Sequence, residues 1–172
     1  EYGVMMTPAL VIDGEVKWGP ALLPYRQGEP DVRNEEDSGP SMPKSLVIVA
    51  SFDWGDDRLP RPPWHETVVY EAHVRGLTMR HPEVPEALRG TYLGFAHPAA
   101  IEHLVRLGIT SVELLPVHEC TPEGFLRERG LTNFWGYNTL GFFAPDQRFA
   151  SSNAPGAAVP IAGIAGDQQA AL

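Results

Sequence analysis

The run Asn133-Phe134-Trp135-Gly136-Tyr137-Asn138 gathers three aromatic rings and two side-chain amides around one glycine. Aromatic faces cover a large area at small entropic cost, and amides can hydrogen-bond hydroxyls. Together they suit a flat platform for a sugar or another planar partner. Composition alone leaves a second reading open, a loop packed on a core. His118 and Glu119 form another candidate, because a histidine beside a carboxylate can move protons, although such neighbours are common on surfaces. Cys120 is the chain's single cysteine. With Glu119 and Glu123 close in sequence a thiolate is disfavoured, and a packed thiol is expected in place of a nucleophile.

Other chemistries find little support. His65, His81, His97 and His103 have no partner at zinc-site spacing, and no H-E-x-x-H occurs. His73 shares a strand face with Glu71, where a satisfied internal hydrogen bond is expected before catalysis. There is no glycine-rich phosphate loop, no G-x-S-x-G elbow and no G-x-G-x-x-G. No metal and no cofactor are therefore expected. The charge balance, 13 Lys+Arg against 22 Asp+Glu for a net of -9, with the basic residues scattered, argues against nucleic acid and anionic membrane as partners. No window of 18 apolar residues and no secretory signal pattern is seen, and a lone cysteine allows no internal disulfide. A soluble, cytoplasmic protein is the expectation.

The elements that must position these residues can be read from turn signals and periodicity. The 172 residues fit one domain or two partial ones, and 17 glycines and 17 prolines favour a mixed or β-containing fold over a helical bundle. Short apolar runs at Val11-Ile12 and Leu46-Val47-Ile48-Val49 read as strands, while the acidic stretch from Glu29 to Asp37 reads as a solvated loop. Leu59-Pro60-Arg61-Pro62-Pro63 reads as a stiff extended hinge and a domain boundary. Beyond it, Val68 to Val74 predicts a strand, and a long loop follows. His97-Pro98 opens a helix with Ile101, Leu104 and Val105 on one face, ended by Gly108. Ser111 to Val117 predicts a second strand, apolar on both faces apart from Glu113 and hence covered by helices, with Pro116 ending its pairing. This β, α, β order is the unit of doubly wound sheets and of (β/α)8 barrels, and periodicity does not choose between them. In either, active sites gather beyond the carboxyl ends of the strands, so the loops after Val74 and Val117 are the places to search. Residues 153–172 show no defensible period and read as a poorly ordered tail.

Three ordered segments carry a family signature: Val69-Tyr70-Glu71-Ala72-His73-Val74-Arg75-Gly76-Leu77-Thr78, Leu107 to His118, and Asn133 to Asn138. They resemble glycogen debranching enzymes, the isoamylase-like branch of the α-amylase superfamily of glycoside hydrolases. Ile12 to Trp18 and Phe52 to Asp57 are similar to the segment joining that family's N-terminal β-sandwich to its barrel. The resemblance implies an α/β architecture: an incomplete (β/α)8 TIM barrel, its first two strands and first helix, preceded by the end of an N-terminal β-sandwich. The corresponding domains would be 1–62, 63–152 and a non-family tail at 153–172. It implies hydrolysis of α-1,6 branch linkages of glycogen-type glucans with retention, by a nucleophile and an acid roughly 5 Å apart. The family's catalytic carboxylates lie on later strands and have no counterpart here, so no catalytic residue is carried over and the chain is expected to be an inactive internal fragment. Tyr137 matches the tyrosine that stacks on glucose at the cleavage point; Trp135, Asn138 and His118 are the other expected substrate-binding residues. Glu71 and Glu113 match framework positions. The implied partner is an α-glucan such as glycogen, limit dextrin or a maltooligosaccharide. The alternatives are a non-catalytic glucan-binding module using Trp135 and Tyr137, or a piece of a related branching or trehalose-forming enzyme.

Overall fold

A computed structural model of the chain describes residues 9–13, 17, 19–23, 25–26, 28–48, 56, 58 and 60–151. Expectations for most of the 52–57 segment and for the 153–172 tail lie outside the described residues.

Antiparallel pairs come first. β1 (Ala9–Asp13) pairs with β4 (Lys44–Ile48), Ala9 opposite Ile48 and Asp13 opposite Lys44. β2 (Tyr25–Arg26) and β3 (Glu29–Arg33) form a hairpin through Gly28, whose φ of +84° is open to glycine at little cost. The acidic stretch is therefore not all loop: its first five residues form β3, exposed throughout as a solvated segment should be. The proline hinge also departs from uniform extension, since Arg61 has φ +44° immediately before Pro62.

The parallel unit follows. β5 (Val69–Ala72) and β6 (Ser111–Leu114) run parallel, Val69 opposite Ser111 and Ala72 opposite Leu114. Between them come α1 (Val74–Thr78), α2 (Tyr92–Phe95) and α3 (Pro98–Arg106). The strand expected to reach Val74 stops at Ala72 because the His73 imidazole caps a helix. Its Nδ1 accepts the N–H groups of Arg75 and Gly76, both at 3.1 Å. α3 begins where His97-Pro98 predicts, with His97 Nδ1 accepting from the Ala99 N–H at 3.3 Å, and gives way at Gly108, φ +76°. Its buried positions are Ala100 and Leu104; Ile101 and Val105, expected beside Leu104, are exposed.

β6 is likewise shorter than expected. The Leu115 N–H still donates to the Ala72 carbonyl at 2.9 Å, and Pro116, lacking a donor, ends the pairing. Nor is the pair covered on both faces by described residues, since Val112 and Leu114 each stay 39% exposed.

The chain then forms β7 (His118–Cys120), α4 (Gly124–Glu128) and β8 (Thr139–Pro145). β7 and β8 pair antiparallel, with register shifts on both sides of Glu119. Among the described residues Val74, Tyr92, Val117 and Phe149 form a buried hydrophobic cluster, with Phe95 packed against it. The buried Tyr92 hydroxyl donates to the Asp146 carbonyl at 3.0 Å, tying α2 to the end of β8. Among the described residues no helix is long and apolar enough to cross a membrane.

Candidate functional site

The aromatic run lies over the carboxyl ends of the parallel strands and is anchored from several sides. His73, one residue past β5, is held as an acceptor at Nδ1 by two backbone N–H groups, so its Nε2 carries the proton and donates to the Phe134 carbonyl at 2.9 Å. Its ring stacks on Phe134, centroids 4.3 Å apart and planes within 6°, and meets Trp135 and Phe149 edge-on at 6.0 and 5.5 Å. One carbonyl earlier, Arg148 Nη1 donates to Asn133 O at 2.6 Å.

The Asn133 side chain closes the turn. Its Oδ1 accepts the Gly136 N–H at 2.9 Å and its Nδ2 donates to Glu123 at 3.0 Å. Gly136 is buried with φ +80°, and a Cβ there would come within 3.3 Å of Pro116. Glycine thus lets the loop lie close on the chain leaving β6. Asn138 Nδ2 donates to the Thr121 carbonyl at 2.8 Å, which gives this expected substrate ligand a loop-shaping bond.

With the backbone fixed, all three rings of the run reach the surface, Trp135 and Tyr137 the most. Trp135 is 55% and Tyr137 70% exposed, and Phe134, stacked on His73, is 47% exposed. His118, the remaining expected ligand, is instead buried and meets Phe142 edge-on at 5.3 Å; burial pulls its pKa below the ordinary 6.5 and favours the neutral ring.

Beneath the platform is a polar cluster that sequence reasoning missed. Asp146 is fully buried, and its Oδ2 receives Arg148 Nη2 at 2.6 Å while its Oδ1 accepts the Arg148 backbone N–H at 2.9 Å. Arg148 Nη2 also reaches Cys120 Sγ at 2.8 Å. Glu119 Oε2 accepts the Gln147 N–H at 3.0 Å, and burial, reinforced by the Asp146 charge, lifts its carboxyl from the ordinary 4.5 to about 7. Burial and Asp146 likewise push the Cys120 thiol up to about 12. The packed-thiol expectation holds, but Asp146, far along the chain, matters more than neighbouring Glu119. The available signal was Asp146 itself, a residue suited to capping the turn Gln147–Phe149 after Pro145.

Parallel strands joined through helices, with an anchored aromatic loop over their carboxyl ends, define part of a β/α protein. No protein-family model matches the chain. It is 49% identical over 153 residues to the glycogen operon protein GlgX homolog of Mycobacterium tuberculosis H37Rv, which covers 85% of this chain and 21% of that protein. It is 56% identical over 123 residues to the glycogen debranching enzyme of Yersinia pseudotuberculosis, 72% of this chain and 18% of that one. Among solved structures, pullulanase type I from Bacillus subtilis str. 168, complexed with maltose, superposes with a TM-score of 0.53 at 24% identity over 67% of this chain and 17% of that one, a likeness of fold. The chain is homologous to glycogen debranching enzymes, as its three motifs indicated, and spans about a fifth of the length of the curated relatives it matches.

Proposed function

We propose that the chain is part of a glycogen debranching hydrolase and supplies one wall of its glucan site, with Tyr137 as the stacking face and Trp135 beside it. The observation that carries this reading is the pairing of two largely exposed rings with a backbone held at successive carbonyls, Asn133 O and Phe134 O. Glucose rings stack on such faces through their C–H surfaces, and a prefixed loop lowers the ordering cost of binding. Similarity to proteins named for glycogen debranching supports the substrate class and an α-1,6 linkage as the bond cleaved. The parallel β5–β6 pair supports residues 63–152 as the start of a (β/α)8 barrel, and the antiparallel pairs before it support 1–62 as the end of a β-sandwich. A cytoplasmic location accords with glycogen as substrate.

Retaining hydrolysis needs two carboxyl groups roughly 5 Å apart on opposite sides of the bond. Among the described residues, the buried Asp146 is occupied by Arg148 and the half-buried Glu119 by a backbone N–H, and Glu71 and Glu113 sit in register on the strand pair. We assign none of them to catalysis, and the chain alone is expected to release no linear chains from glycogen. Affinity electrophoresis in glycogen tests the platform: the wild-type chain should be retarded and Tyr137→Ala much less so. Equal mobility of the wild type with and without glycogen would reject it. Binding without release of linear chains would favour a glucan-binding role for the isolated chain.

A further inference from the structure

We infer that His73 is the positioning residue of the aromatic platform, coupling the end of β5 to the backbone beneath Trp135. The inference rests on the glucan reading above. It stands on two sets of contacts made by opposite sides of one imidazole. At Nδ1 the ring accepts from Arg75 and Gly76, and this local role is to cap α1. At Nε2 it donates across 61 residues of sequence to the Phe134 carbonyl, and its face stacks on the Phe134 ring while its edge meets Trp135. A residue needed only to cap a helix has no use for the second set. Serine, threonine, aspartate and asparagine cap as well or better and commit no aromatic surface.

The ring is also backed by the core, through its edge-on contact with Phe149. It therefore transmits a fixed position from the packed interior to the loop. Neither Trp135 nor Tyr137 touches the core cluster of Val74, Tyr92, Val117 and Phe149 as a member of it, so their placement depends on how their backbone is held. His73 and Arg148 supply that hold from two different elements, at adjacent carbonyls.

The two roles of His73 can be separated by substitution. His73→Asn places an amide oxygen where it can still accept from the N–H groups of Arg75 and Gly76, but it is too short to reach Phe134 and presents no ring. His73→Ala removes both. In the 172-residue chain, limited chymotrypsin digestion with the cut sites identified by mass spectrometry reads loop order without any sugar. Cleavage after Phe134, Trp135 and Tyr137 should speed up about tenfold in His73→Asn, while its melting temperature falls less than that of His73→Ala because the cap is kept. His73→Ala should show the faster cleavage together with a fall of about 4 °C or more, from loss of the cap. Maltoheptaose affinity should weaken about fivefold in His73→Asn, as expected for one lost hydrogen bond and a displaced stacking face. Wild-type rates of loop cleavage in His73→Asn would overturn the inference and leave the residue a helix cap. A wild-type chain that binds no maltoheptaose would instead sink the glucan reading, while the cleavage comparison would still decide the role of His73.

Discussion

Glu119 shows how a half-buried carboxylate affects pH dependence. Its folded pKa of about 7 lies above the ordinary 4.5, chiefly through burial, so the folded state binds its proton more tightly than the unfolded chain does. The associated stability is complete below about pH 4.5 and is lost as pH rises toward 7. Glu119→Gln keeps an oxygen to accept from Gln147 and removes the titration. It should flatten the melting temperature between pH 4.5 and 7 and gain about 1 kcal/mol over wild type at pH 8, after allowance for the group's partial solvent exposure. Thermal melts across that range decide it; parallel curves for the two proteins would assign the titration elsewhere. Arg148 carries the opposite risk. Its removal in Arg148→Gln strands the fully buried Asp146 carboxylate and releases Asn133 O, and should cost about 3 kcal/mol in urea unfolding. Asp146→Asn combined with Arg148→Gln should recover part of that loss, because the amide pair leaves no buried charge unmatched. At this scale the aromatic run was legible because its rings fall within one six-residue stretch. The Asp146–Arg148–Cys120 cluster was not, because pairing at i,i+2 depends on a tight turn and the thiol arrives from a strand 28 residues from Arg148 in sequence.

At the scale of elements, close approach decides what can change. A Cβ at Gly94 in α2 would overlap the Leu88 carbonyl and lie 3.2 Å from Thr78 Oγ1, and the obstructing oxygen belongs to backbone that cannot rotate away. Gly94→Ala should therefore destabilise by about 3 kcal/mol despite the better helix propensity of alanine. A melting temperature at or above wild type would show that α2 moves freely on its neighbour. Gly136→Ala, strained at φ +80° and pressed on Pro116, should cost about 1 kcal/mol and weaken retardation in glycogen through the displaced loop. The same reasoning explains which elements could be read in advance. β5, α3 and β6 were legible because β-branched runs, His97-Pro98 and Gly108 act locally and agree with one another. α1 was not, since it depends on a histidine capping where serine or aspartate is the usual signal. β8 was hidden too: Gly141 interrupts Thr139–Pro145, and its partner is a three-residue strand with shifted register, so neither shows alternation.

At the scale of the molecule, the described parallel unit exposes several large apolar side chains. Val69 on β5, Val112 and Leu114 on β6, and Ile101 and Val105 on α3 are all exposed, beside a two-stranded ladder whose outer edges pair with no other described strand. Such faces and edges drive association through burial and strand pairing. The net charge of -9 opposes it by repulsion between copies. These two effects respond differently to salt. Going from about 50 mM to 500 mM shortens the screening length about threefold and removes most of the repulsion, while leaving apolar burial intact. The chain should therefore bind an apolar dye such as ANS at low salt, and its mass by light scattering should rise steadily with sodium chloride. Glu substitutions at Val112 and Leu114 should suppress that rise without changing the platform loop, which is anchored by other contacts through His73 and Arg148. A monodisperse monomer with no dye binding at either salt concentration would mean that these faces are covered in solution.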